Sequence, residues 1–467
     1  MKFRIAEVEI PADDPFKFDA LERKPVVEFL RDLIKQIEGP FVLALDSPWG
    51  TGKTTVVRML RRSLEIEGFR CVYFNAWKDD YVTDPLIPMV SAIDELKPGS
   101  DVANDSFRSS MATVRKAVGP IAKRALKAAI KMGTMGVLDV DEAIEETTAD
   151  AASEAADDLI DAFQKEKASL EQFRDALEKA VGKLSETDPP RPLIFFIDEL
   201  DRCRPSYAIE LLERVKHLFD VPNMVFVLSI DKKQLEAITA AVYGERIDAP
   251  EYLRRFIDLE YALPALHTKS YTRELIKRFG FQEFFDARKQ NSTLAYDHDH
   301  FVETFTLLAG MFDLPLRARE RCLTRLAVAL TQTGKDHYLD PIVLSLLLVL
   351  RIKEPSLYSG LIGGSIAPRD LMETLRKMPM AREFAASRHS TILEAYLIAG
   401  DVVRERGERV LKELQDLAIA EPGTASGLCA REVLDMQRHV QGSRWRDFSI
   451  KYVSNKVELA AKVGDDW

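Results

Sequence analysis

The stretch Phe41–Thr55, FVLALDSPWGTGKTT, decides how the rest of the chain is read. An apolar run, Phe41-Val42-Leu43-Ala44-Leu45, gives way to proline, glycine and then lysine. This is nearly the phosphate-binding pattern of glycine, four residues, then Gly-Lys-Thr, with Ser47 where the first glycine belongs. Such a loop needs N–H groups curled toward phosphate oxygens, a lysine that reaches the terminal phosphates, and a hydroxyl that holds magnesium. Gly50 and Gly52 supply the backbone freedom, Lys53 the charge and Thr54 the magnesium hydroxyl. Thr55 is placed for an outer phosphate contact, and Pro48, Trp49 and Thr51 complete the cradle. Because Pro48 already sets the turn, a nucleotide-binding loop is expected despite Ser47.

The flanks fit this reading. Residues 20–37 carry apolar side chains at mixed three and four spacing, which predicts an amphipathic helix stopped by Gly39-Pro40. A helix is expected from Thr54 to Glu67, closed by Gly68, and then a strand Cys71-Val72-Tyr73-Phe74 running into Asn75-Ala76-Trp77. Strand, glycine loop, helix, strand opens a parallel α/β sheet.

The sheet pattern then breaks off. Residues 100–188 carry no strand signal: 114–132 are basic and amphipathic, and 139–158 are acidic. Leu170, Phe173, Leu177, Val181 and Leu184 form a stripe expected on a long packed helix, and Asp188-Pro189-Pro190 ends the insert. Strands are expected again at Leu193–Ile197, at Val225–Leu228 and near Phe256–Leu263, with a helix over 205–219 and a helix-capping box at Asp231 and Gln234. Beyond residue 268 the periodicity is helical, and Ile342–Leu350 reads as a buried helix. The opening residues, MKFRIAEVEI, alternate like a short strand and lack the look of a secretory leader.

A phosphate loop requires a second half-site. The apolar strand Leu193–Ile197 ends in Asp198 and Glu199. The first carboxylate suits magnesium and the second suits polarising the attacking water, which favours hydrolysis over binding alone.

Together these residues resemble the KAP family of P-loop NTPases. The resemblance rests on Pro48-Trp49-Gly50-Thr51-Gly52-Lys53-Thr54, Phe74-Asn75-Ala76-Trp77 and Ile197-Asp198-Glu199-Leu200-Asp201-Arg202-Cys203. Phe226–Asp231, Tyr252–Phe256, and Leu316-Arg317 with Glu320-Arg321-Cys322 support it, so it spans about residues 15 to 360. It implies ATP and magnesium as cofactors and a core of the additional-strand catalytic glutamate type, related to AAA+ and STAND ATPases. Two departures stand out: Ser47, and Glu199 where relatives often carry a second aspartate.

The resemblance also assigns roles to polar residues elsewhere. Arg255 matches an arginine that reaches a neighbouring subunit's γ-phosphate, with Arg254 as the rival and a surface ion pair as the plain alternative. Arg317 is a candidate sensor arginine and Ser229 a candidate γ-phosphate sensor, while Asp231 reads as a helix cap. Asp201 and Arg202 read as a structural ion pair, and Trp77 either lines the site edge or packs at a strand end. His298-Asp299-His300 has the spacing of a solvated loop rather than of a metal site.

Bulk composition sets the remaining limits. The chain has 467 residues, enough for two or three domains, with 46% hydrophobic and 30% charged residues and a net charge of −10. That acidic balance disfavours a nucleic-acid-coating protein. Cys71, Cys203, Cys322 and Cys429 are widely spaced, as in a reducing cytoplasm. Many relatives insert membrane-spanning helices between the two half-sites. Here Lys116, Lys123, Arg124, Lys127 and Lys131 interrupt every apolar run, so no transmembrane anchor is expected. The basic stretch is expected to pair with the acidic one, with an anionic membrane surface or nucleic acid as alternatives.

The expected organisation is a parallel-sheet α/β P-loop NTPase core in two parts, 1–99 and 189–266, a helical insert at 100–188, and a helical C-terminal region at 267–467. The expected function is a magnesium-dependent ATP-hydrolysing switch in a cytoplasmic homo-oligomer, with an effector or regulatory protein as partner. Bacterial relatives suggest anti-phage defence or phage exclusion. The alternative is an ATP-binding scaffold with negligible hydrolysis. GTP stays open beside ATP.

Overall fold

The computed structural model describes residues 1–6, 8–96, 101–134, 149–185, 191–264, 269–291, 294–331, 333, 339–401, 403–442 and 449–458. Its chain divides into two compact units, Val8–Pro264 and a second made of Met1–Glu7 with Ala265–Trp467.

The first unit holds a five-stranded parallel sheet with strands β1 (Phe41–Asp46), β2 (Arg70–Asn75), β3 (Leu193–Asp198), β4 (Met224–Ile230) and β5 (Leu259–Ala262). The strand order is β2-β3-β4-β1-β5. β4 therefore lies between the strand that leads into the glycine loop and the strand that ends in carboxylates, which is the additional-strand arrangement expected. β5 is shorter than the stretch read from sequence, because the preceding residues Ala249–Leu253 form a helix whose end runs on through Phe256.

β3 and β4 are buried along their whole length. Their unbroken apolar runs follow from being covered on both faces, the usual condition of central parallel strands. Alternation divides them. Phe195, Ile197, Phe226 and Leu228 face one core with helices α4 (Leu86–Asp94) and α7 (Pro205–Leu218). Ile194, Phe196, Val225 and Val227 face another with α1 (Lys24–Ile34) and α2 (Lys53–Ile66).

The insert is two long helices, α5 (Asp101–Thr134) and α6 (Ala149–Ser185). Phe107, Met111, Val114 and Ile121 of α5 share a core with Phe173, Leu177, Val181 and Leu184 of α6, so the sequence stripe is a packing face. Phe173 sits edge-on to Phe219 at 5.7 Å, and Phe219 edge-on to Phe226 at 6.1 Å, tying α6 to the sheet. Among the described residues no helix is long and apolar enough to cross a membrane. The Asp188-Pro189-Pro190 stop, the acidic residues 139–148 and the side chains of 122–163 lie outside what is described, and with them the expected pairing of basic and acidic stretches.

The second unit is helical. Its helix Pro341–Lys353 is buried at every position from Pro341 to Leu350, as its apolar run requires. The opening residues form no strand among those described, contrary to their alternation. The backbone N–H of Lys2 donates to the carbonyl of Phe279 at 2.7 Å and the hydroxyl of Thr324 to that of Phe3 at 3.2 Å, so residues 1–3 bond to the end of one helix and the side of another instead of joining a sheet.

Candidate functional site

Register brings the functional strand ends level. Asn75 of β2 pairs with Asp198 of β3, Asp198 with Ser229 of β4, and Ser229 with Leu45 of β1. Four strands thus deliver their polar ends to one edge, the edge from which the glycine loop departs, where parallel α/β sheets carry ligands.

In the loop, Gly50 and Gly52 have φ of 79° and 90°, a left-handed backbone that glycine adopts without strain. Gly52 also starts α2, and no side chain caps that helix. Its N-terminal N–H groups and dipole are thereby left facing the loop. Ser47, 3% exposed, bonds through its hydroxyl to that of Thr51 at 2.7 Å, and Thr51 donates to the carbonyl of Pro48 at 2.9 Å. The residue in the first glycine's place is therefore a built-in brace of the loop.

Lys53 is 9% exposed. Its ammonium donates to the Ser47 carbonyl and lies 3.8 Å from Asp201. Burial pulls its pKa below the usual lysine range, while Asp201, Asp231, Asp198 and Asp46 push it back up. Burial raises the pKa of Asp201, against the pull of Lys53. The ammonium thus feels four carboxylates, with Asp201 in salt-bridge range, and a further cation would be attracted to the same field.

Asp198 is 1% exposed, and the Tyr73 hydroxyl donates to its Oδ2 at 2.8 Å while the Glu199 N–H donates to its Oδ1 at 3.0 Å. Burial beside Asp198 raises the Tyr73 pKa, so the phenol stays protonated as donor. Glu199 takes a left-handed backbone, φ 62° and ψ 26°, where the strand breaks into the short 3-10 helix Leu200–Arg202. Its Oε1 receives the Arg202 guanidinium at 2.5 Å and its Oε2 the Asn75 amide at 3.3 Å. Ser229 is fully buried, and its Oγ has no hydrogen-bond partner among the described residues.

The ion pair expected between Asp201 and Arg202 does not form. Side chains three apart eclipse on a 3-10 turn and adjacent ones diverge, so Arg202 meets Glu199 instead. Asp201 turns inward and accepts the Trp49 indole N–H and, at 3.0 Å, the Asp231 backbone N–H. Asp231 caps α8 (Lys232–Tyr243) through Gln234, as read, and also accepts the Trp49 backbone N–H at 3.2 Å. Trp77, 51% exposed, stands at the site edge with its ring 5.7 Å from the Arg202 guanidinium.

One contributor was missed altogether. Arg23, 2% exposed, donates to the carbonyls of Thr51 at 3.3 Å and Pro264 at 2.6 Å, holding the loop from behind. Nothing in its neighbourhood, Leu-Glu-Arg-Lys, distinguishes it from a surface residue. The two rival arginines differ: Arg254 pairs with Glu251 at 2.8 Å, whereas Arg255 is exposed and makes no side-chain bond among the described residues. Arg317 is exposed on the helix Leu316–Thr331 of the second unit. In that unit His298 faces Asp299 at 3.0 Å and packs edge-on to Phe285. Among the described residues no trio of His, Cys, Asp or Glu converges to hold a metal alone. A magnesium ion here would keep few protein ligands and be completed by phosphates and water, its usual habit.

The sequence pattern of the KAP family P-loop domain matches residues 23–326. No curated protein matches. Among solved structures, "Structure of the Aeropyrum Pernix ORC2 protein (ADPNP-ADP complexes)" is similar over 90% of this chain and 95% of its own, at 14% identity and a TM-score of 0.27. At that score the likeness says nothing about this chain's site.

Proposed function

Because the chain belongs to the KAP family of P-loop domains, we propose that it is a magnesium-dependent ATPase whose hydrolysis drives a conformational switch within an oligomer. The observation that carries the reading is the gathering of Lys53, Asp198, Glu199 and Ser229 at one sheet edge beside an uncapped helix N-terminus. The residues fit a nucleotide and magnesium: the left-handed glycines open the loop, Ser229 Oγ lacks a partner among the described residues, and the carboxylates felt by Lys53 suit a divalent cation.

Lys53 exchanges the Ser47 carbonyl for the terminal phosphates. Thr54, on the first turn of α2, and Asp198 hold magnesium, with Tyr73 fixing the carboxylate's rotation. When bound, magnesium neutralises charge on the phosphates as the leaving group departs. The oxygen of water bonds to the γ-phosphorus, the bond to the bridging oxygen breaks, and Glu199 takes the proton. Ser229 donates to the transferred group. Arg255, exposed and without a side-chain bond among the described residues, acts across a subunit contact, and Arg317 is the sensor arginine of the helical unit. A role in anti-phage defence or phage exclusion is part of this reading, and loss of protection on deleting the gene would test it.

Phosphate release from the native protein, Lys53→Ala and Glu199→Gln tests the core of the proposal. Turnover in the native protein that both substitutions abolish is expected. Tight ATP binding without turnover would overturn it in favour of a binding scaffold, a reading favoured by one observation, that both Glu199 oxygens are engaged. Mass in solution with and without ATP and magnesium tests the oligomer.

A further inference from the structure

We propose that Arg202 is a positioning residue that keeps Glu199 out of service until a nucleoside triphosphate arrives, with Trp49 and Trp77 holding its guanidinium at the mouth of the loop. The inference rests on reading Glu199 as the proton acceptor in hydrolysis.

Three observations point the same way. The Arg202–Glu199 contact of 2.5 Å joins side chains only 18% and 15% exposed, so solvent screens it little. With Asn75 on the other oxygen, each carboxylate oxygen already accepts a donor, which lowers the basicity a general base needs toward water. The left-handed backbone of Glu199 is uncommon for a residue with a side chain, and it starts the tight turn that aligns Glu199 with Arg202. The arrangement is imposed by the local fold.

The indoles make the latch responsive. The Arg202 guanidinium lies 5.9 Å from the Trp49 ring and 5.7 Å from the Trp77 ring, within range of cation–π attraction to both. Trp49 belongs to the phosphate loop itself, its backbone N–H tied to Asp231 and its indole N–H to Asp201, the carboxylate beside Lys53. A terminal phosphoryl group carries more charge than a carboxylate and accepts a guanidinium in bidentate fashion. It draws Arg202 off Glu199 and frees the base only when a triphosphate is present.

The test uses the full chain with Trp445 and Trp467 replaced by phenylalanine, so that only Trp49 and Trp77 emit. A β,γ-imido ATP analogue with magnesium is expected to change the emission, and ADP with magnesium to leave it nearly unchanged. Arg202→Ala should abolish the change while calorimetry still finds the analogue bound. Its kcat should rise about three- to tenfold with KM little altered, and Arg202→Lys should fall between it and the native chain. Binding with no emission change, the same change in Arg202→Ala, or a lower kcat in that variant overturns the latch. Failure of the analogue to bind the native chain overturns the nucleotide-site reading on which the latch rests, and the latch with it. An Arg202-dependent emission change without turnover in any form rejects the hydrolytic reading on which the latch rests, an outcome distinct from failure of Arg202 to move.

Discussion

Both units bury charged side chains, but in different company. In the helical unit three buried acids each have an arginine, Asp297 with Arg288 at 2.6 Å, Glu394 with Arg376 at 2.6 Å and Asp401 with Arg406 at 2.7 Å, while buried Asp340 accepts the backbone N–H groups of Ile342 and Val343. In the sheet unit Lys53 meets Asp201 at 3.8 Å and feels Asp46, Asp198 and Asp231 as well, and the Ser229 hydroxyl beside Asp198 has no partner among the described residues. Closed pairs hold architecture in place, because removing either member strands the other in a poor solvent for charge. An unbalanced cluster costs stability in the free protein and is relieved only by something that brings the opposite charge. Burial of charge alone does not separate the two cases; the balance of the charges does.

The contrast can be broken most directly in the helical unit. Asp297→Ala leaves Arg288, whose side chain is 1% exposed, without its carboxylate and should cost about 3–5 kcal/mol in chemical denaturation. A cost near zero would mean that this pair is not architectural. Next in size, the magnesium complex of a non-hydrolysable ATP analogue at a hundred times its Kd should stabilise the chain by about 2.7 kcal/mol. Lys53→Ala should remove that gain, measured as the ligand-dependent shift of the thermal transition.

Two smaller effects sharpen the comparison. Asp198→Asn takes one negative charge from the cluster, so the ligand-free chain should gain about 1 kcal/mol while losing the increment that magnesium adds to nucleotide binding. A loss of stability in the ligand-free variant would refute the idea of stored charge imbalance. Ser47→Gly forfeits the 2.7 Å bond to Thr51 and should cost about 1 kcal/mol of stability. Titration of the nucleotide should show affinity within about threefold of native, since under 1.4 kcal/mol is at stake.

How legible the molecule was depends on the range of the interaction. The loop at 47–55, the carboxylates after β3, the helix cap at Asp231 and the stripe from Leu170 to Leu184 are patterns within a few residues, and the structure places each on the element it predicted. The opening decapeptide misled because alternation describes a strand only when a neighbouring strand is there to pair with. The Asp201–Arg202 pairing misled because adjacency in sequence is not adjacency on a 3-10 turn.

By itself, the sequence determined a parallel α/β core of the P-loop class, the elements that carry the glycine loop and its carboxylates, and a helical insert, because these follow from periodicity and local backbone preference. Tertiary structure alone decided that β4 separates β1 from β3, that Asn75, Asp198 and Ser229 come level, and that Arg23 supports the loop from behind. It also decided that the arginine three residues beyond Glu199 sits on that carboxylate between two indoles from distant strand ends. Apart from the step from Arg202 to Glu199, those contacts join residues tens to hundreds of positions apart. Their partners are set by strand register and crossover, which the whole core selects and no short stretch encodes.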